Sequence, residues 1–115
     1  MTYFVKKGLK YNNTKQLYNG NRYDSKKEAT FAKQLDLRIK AGDIKGYQRQ
    51  FPLELRVNGY LICKWKIDFR IVHNDLSWEF TEVKGFETYD YIIKRKLFEA
   101  LMDEMYPGSI LTIIK

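Results

Sequence analysis

Apolar and polar positions recur along this chain with two different periods. Over residues 25–41 the apolar residues Phe31, Ala32, Leu35 and Ile39 fall at the three-and-four spacing of a helix stripe. Ser25-Lys26-Lys27-Glu28 supplies a capping box at its start, and Gly42 a left-handed stop at its end. A second helix is predicted over residues 89–105, with Ile93, Leu97, Ala100 and Leu101 toward the core and Pro107-Gly108 breaking it. Between the helices the period drops to two. Residues 44–51 read as a weak strand or extended link, ended by Pro52. Leu53, Leu55 and Val57 alternate with Glu54 and Arg56, the pattern of a strand with one wet face. Asn58-Gly59 is the strongest hairpin signal in the chain. Residues 60–72 return, long enough to bend or bulge near Lys64-Trp65-Lys66. After a turn at residues 73–75, a third strand covers residues 76–84 with Leu76, Trp78 and Phe80 on the core face, closed by Gly85. Residues 110–114 are a continuous apolar run, read as a buried strand. Upstream, Asn19-Gly20 joins residues 15–18 to residues 21–23 as a small hairpin.

The predicted order is therefore helix, three-strand meander, helix, strand. This is an α/β domain over residues 24–115 with a mixed sheet, in which the second helix is the crossover to the last strand. Residues 1–23 form a small appendage.

A chain of 115 residues is one domain with one modest core. A hydrophobic content of 44%, with 16% aromatic, argues against a disordered chain. No apolar run is long enough for a membrane span, and residues 1–10 lack the stretch of a secretory signal, so an intracellular protein is expected. The single cysteine, Cys63, excludes an internal disulfide and reads as a buried structural thiol; the single histidine, His73, reads as a turn residue. One of each makes no zinc site of the usual kind. The net charge of +7 is unevenly spread. Lys6, Lys7, Lys10, Lys15 and Arg22 occupy the appendage without any acid, interleaved with Tyr3, Phe4, Tyr11, Tyr18 and Tyr23. Lys94, Arg95 and Lys96 form a second cluster. Basic residues mixed with aromatics suit a nucleic-acid backbone and its bases.

Within the strands, Asp68 sits in Lys66-Ile67-Asp68-Phe69-Arg70, and Glu82 and Lys84 end the third strand on the face of Trp78 and Phe80. Carboxylates among apolar partners are costly to bury alone, but not beside a divalent cation and a phosphodiester. Phosphodiester hydrolysis needs hard oxygen ligands for such a cation, a role suited to Asp68, Glu82 and the Val83 carbonyl, and a positive group for the charge that develops on the phosphate, a role suited to Lys84. Glu28 lies on the buried stripe of the first helix, where capping duty competes with metal duty. Plainer readings stand beside these. Asp68 could pair with Lys66 or Arg70, Glu82 with Lys84 across the surface, and Lys94, Arg95 and Lys96 could be a solvated helix face.

The segments Tyr23-Asp24-Ser25-Lys26-Lys27-Glu28, Ile67-Asp68-Phe69 and Thr81-Glu82-Val83-Lys84-Gly85, followed by the basic helix around Lys94-Arg95-Lys96, resemble the PD-(D/E)XK nuclease superfamily, and within it small phage-type endonucleases related to Holliday-junction resolvases. The resemblance covers residues 22–115. It implies a restriction-endonuclease-like core, with Asp68 and Glu82 as metal ligands, Lys84 as the catalytic lysine and Glu28 as the supporting acid of the first helix. It departs at Ile67, where the family name has proline, and lacks the Gln-x-x-x-Tyr pattern of the RecB-like branch. The implied activity is Mg²⁺-dependent cutting of DNA, with Mn²⁺ as substitute and no organic cofactor, on branched or structured substrates in phage or mobile-element recombination, repair or packaging. Phage origin would place it in the cytoplasm of a bacterial host. Paired cuts across a junction would require a homodimer. The alternatives are a nuclease-like module that binds nucleic acid without cutting, and an RNA-directed nuclease.

Overall fold

A computed structural model of the chain describes residues 16–115. The chain divides into two compact units, one ending at Asp36 and the other spanning Leu37–Lys115.

In the first unit β1 (Gln16–Tyr18) and β2 (Asn21–Tyr23) pair antiparallel, with Gln16 opposite Tyr23. Asn19 and Gly20, at φ 52° and 80°, make the primed turn that their identities predict. Helix α1 (Lys26–Lys40) begins in this unit. The Glu28 N–H donates to Ser25 Oγ at 3.1 Å, while Glu28 Oε1 accepts from the Asp24 N–H at 3.0 Å. The capping box thus closes one residue earlier than the expected bond to the Ser25 N–H. Its buried stripe is Glu28, Ala29, Ala32 and Leu35; Phe31 is only half-buried and Ile39 is 37% exposed. The apolar face was expected to continue through Ile39, but the last turn runs out into solvent before its stop.

That stop opens the second unit. Gly42 at φ 80° lets the Asp43 N–H reach the Arg38 carbonyl and the Gly42 N–H reach that of Ile39, a double bond pattern only a left-handed residue permits. A four-stranded sheet follows in the order β3-β4-β5-β6. Strands β3 (Ile44–Val57), β4 (Tyr60–His73) and β5 (Trp78–Val83) are antiparallel neighbours. Helix α2 (Tyr89–Met105) crosses to β6 (Ile110–Ile114), which lies parallel to β5. The mixed sheet and its crossover agree with the sequence reading.

Six details differ. Strand β3 does not end at Pro52 but runs through it, with Pro52 opposite Lys66. Because β3 is an edge, a residue without an N–H is tolerated there. Leu76 is not in the third strand; it sits in the preceding turn at φ 73°, 65% exposed. Strand β6 is half-buried rather than buried, being the other edge. Helix α2 buries Tyr91, Phe98 and Met102, while Ile93 and Ala100 are exposed and Leu97 and Leu101 pack only partly. The aromatic side chains decide that face. Trp65 stands edge-on to both Tyr91 and Phe98, at 5.9 Å each, and Phe98 stands edge-on to Phe80 at 5.2 Å. Cys63 is half-buried and free, and His73 is the last residue of β4 rather than a turn residue.

Candidate functional site

A regular strand would place Trp65, Ile67, Phe69 and Ile71 on one face. Here Trp65 and Ile67 belong to the cluster around Phe80 and Phe98, whereas Phe69 and Ile71, equally buried, lie outside it. Strand β3 changes sides in step: Phe51 packs on Trp78 and Phe80, and Tyr47 on Phe69. The change occurs at one rung. The β3–β4 register passes from Arg49 opposite Phe69 to Phe51 opposite Ile67, omitting Gln50 and Asp68 between them. Gln50 sits there at φ 53°, a left-handed conformation that costs a non-glycine residue about 1–2 kcal/mol. Such strain persists where surrounding structure holds it, and it clusters at functional sites.

The β4–β5 ladder also ends at this rung, with Phe69 opposite Thr81. Side chains take over the pairing. The Asp68 N–H donates to Glu82 Oε1 at 3.0 Å, and the Val83 N–H donates to Asp68 Oδ2 at 2.8 Å. Each acid thus replaces a ladder bond of the neighbouring strand, and the two carboxylates are fixed side by side. Asp68 is half-buried and Glu82 is 5% exposed. Burial pushes the Glu82 carboxyl above its usual range, more than the contacts with Asp68, the nearby Lys84 charge and the Trp65 indole hold it down. Val83 contributes an N–H here; the carbonyl expected as a ligand is on the same residue, which pairs with Ile114.

Lys84 follows β5, its N–H bonded to the Ile114 carbonyl at 2.8 Å. Its Nζ lies 4.8 Å from the centre of the Tyr91 ring, and among the described residues it has no ion pair. Tyr91 is held at the start of α2, where Thr88 Oγ1 accepts its N–H. The phenol is 3% exposed, and its oxygen has no hydrogen-bond partner among the described residues. Burial, reinforced by the charges of Glu82 and Glu87, raises its pKa, so the oxygen keeps its proton. One turn on, Lys94 Nζ lies 5.8 Å from the Trp65 ring centre. Arg95 pairs with Glu99 at 3.2 Å while its buried Nε has no partner among the described residues, and Lys96 is exposed. The basic cluster of α2 is therefore split, with Lys94 directed to the aromatic pair beside the acids. Neither plain pairing of the acids is seen among the described residues. Arg70 bonds Gln48 and stacks over Trp78 at 4.3 Å, and Glu82 is too buried for a surface bridge.

Two carboxylates from adjacent strands, one carrying an uncompensated burial cost, fit a hard cation such as Mg²⁺, which takes one or two carboxylates and completes its shell with water and substrate. Among the described residues no group of three or more His, Cys, Asp or Glu side chains gathers to hold a metal, so the donor set does not fit a closed cage. Glu28 is placed in the first unit, engaged at the start of α1. Arg22 is exposed on β2, and Lys6, Lys7, Lys10 and Lys15 lie outside the described residues. Tyr91 and Trp65 were missed as site residues. The seven-residue spacing of Tyr91 to Phe98 was a readable signal. No helix among the described residues is long and apolar enough to cross a membrane.

The chain belongs to the DUF1064 family of proteins of unknown function, whose family model matches residues 8–115. No curated protein and no solved structure matches it.

Proposed function

We propose that this protein is a Mg²⁺-dependent DNA endonuclease with a restriction-endonuclease-like core of the PD-(D/E)XK type. The observation that carries the reading is the reciprocal pair of hydrogen bonds that fixes Asp68 and Glu82 side by side where the β4–β5 ladder ends, with Lys84 two residues beyond Glu82. The element order helix, antiparallel strands, helix, parallel strand supports it. Asp68 and Glu82 would hold the cation, and Mn²⁺ would substitute. A cation held there supplies polarisation of the phosphate and a lowered pKa for a bound water. Lys84 stabilises the negative charge that grows on the phosphate oxygens, and Lys94 attracts the neighbouring backbone phosphate.

The test is a cleavage assay on linear, single-stranded, flapped and four-way DNA, with Mg²⁺ and with EDTA. Asp68→Ala, Glu82→Ala and Lys84→Ala each remove cutting and leave DNA binding largely intact. Cutting by Asp68→Ala at the wild-type rate sinks the mechanism. The second reading, a nucleic-acid-binding module that does not cut, is favoured by the lack of a third acid in the group among the described residues. Binding without cleavage in Mg²⁺ or Mn²⁺ would select it.

A further inference from the structure

The five-residue stretch from Lys84 to Thr88 links the acid-bearing strand to α2, and it inverts the usual order of exposure. Its acid is tucked away: Glu87 is 19% exposed at the side chain and pairs with Lys115 at 3.0 Å. Its aromatic residue points out: Phe86 is 78% exposed, as is Tyr89 at the first position of α2. Neither ring has an aromatic or cationic contact among the described residues. The stretch is anchored at both ends, by the Lys84 N–H on Ile114 and by Thr88 capping Tyr91. The rings are thus presented on a fixed support, at a standing cost in exposed apolar area. Lys84 precedes them and Lys94 follows; the nearer charges are two acids, Asp90 and Glu87, of which Glu87 is offset by its pairing with Lys115.

From this placement we infer that Phe86 and Tyr89 stack on unpaired nucleobases of a single-stranded or splayed nucleic acid whose backbone lies along Lys84 and Lys94. Aromatic faces recognise any base, but bases inside a duplex already stack on one another, so such rings select unpaired strands. The inference rests on the nucleic-acid part of the function proposed above and names its substrate class.

The experiment uses the full chain in EDTA, so that cutting plays no part. The probe is a single-stranded oligonucleotide carrying 2-aminopurine, with its duplex as control. Wild type is expected to quench the 2-aminopurine and to bind the single strand more tightly than the duplex. Phe86→Leu/Tyr89→Leu keeps apolar bulk but removes both rings; it loses the quench and about tenfold or more in single-strand affinity. Both positions are exposed, and circular dichroism checks that the variant folds. No single-strand binding, no quench by wild type, or an unchanged quench by the double variant overturns the inference. A chain that quenches but never cuts loses the nuclease reading alone. One that cuts without quenching loses this inference alone.

Discussion

Glu79 and Glu82 lie three residues apart on β5, on opposite faces, and the protein treats them in opposite ways. Glu79 is satisfied at both oxygens by side chains of the fold: Oε1 is 2.8 Å from His73 Nε2, and Oε2 accepts from Thr112 Oγ1 at 2.9 Å. The cluster ties β4, β5 and β6 together and leaves no demand for a ligand. Glu82 is more buried, and although it accepts from the Asp68 backbone N–H, desolvation pushes its carboxyl up more than its contacts hold it down. Polar groups that close on themselves are architecture. A buried acid whose burial cost outweighs its contacts is a place where a cation would stabilise the fold.

The sharpest way to break that contrast is Glu82→Gln, which keeps the acceptor and removes the charge. It is expected to lower DNA cutting by about 10²- to 10³-fold. The same variant tests the electrostatics. With its folded pKa raised, Glu82 binds its proton more tightly in the folded than in the unfolded state. Metal-free wild type therefore loses stability as pH rises from the ordinary carboxylate range through the raised value. Glu82→Gln should flatten that slope in urea titrations, and Mg²⁺ should raise the melting temperature of wild type but not of the variant. At the other acid the signs reverse. Glu79→Gln should cost about 2 kcal/mol in urea unfolding, because the charge and one of two acceptor oxygens are lost, and should leave the cutting rate unchanged. Tyr91→Phe removes a buried hydroxyl without a partner, so stability should rise by about 1 kcal/mol. Gln50→Gly relieves a left-handed strand residue and should add slightly less than that, as the strain released is partly offset by glycine's extra chain entropy.

Much of the fold was legible because it rests on local chemistry. Asn19-Gly20, Asn58-Gly59 and Gly42 all adopt the left-handed turns their types favour, and α2 keeps the predicted limits of residues 89–105. What escaped depends on the sheet's neighbours. Pro52 reads as a terminator until β3 is known to be an edge. The buried face of α2 follows Trp65, a residue on another strand, so aliphatic periodicity chose Ile93 where packing chose Tyr91 and Phe98. The acids themselves were identifiable by type and strand position, but their mutual lock was not. It depends on the ribbon changing faces at Gln50 and Asp68, and residues with the same odd-numbered pattern on either side of that rung look identical in sequence.

The uninterrupted passage of β3 through Pro52 also bears on how the protein behaves at high concentration. Open sheet edges invite another chain to add a strand, and proline is a natural guard against it. The β3 edge carries that guard, together with the kink at Gln50. The opposite edge, β6, offers Ile-Leu-Thr-Ile-Ile with neither charge nor proline. Its short length is the protection it has. Sheet-to-sheet aggregation, when the protein is stressed, should therefore start from β6, and a single lysine in place of the exposed Ile110 should suppress it.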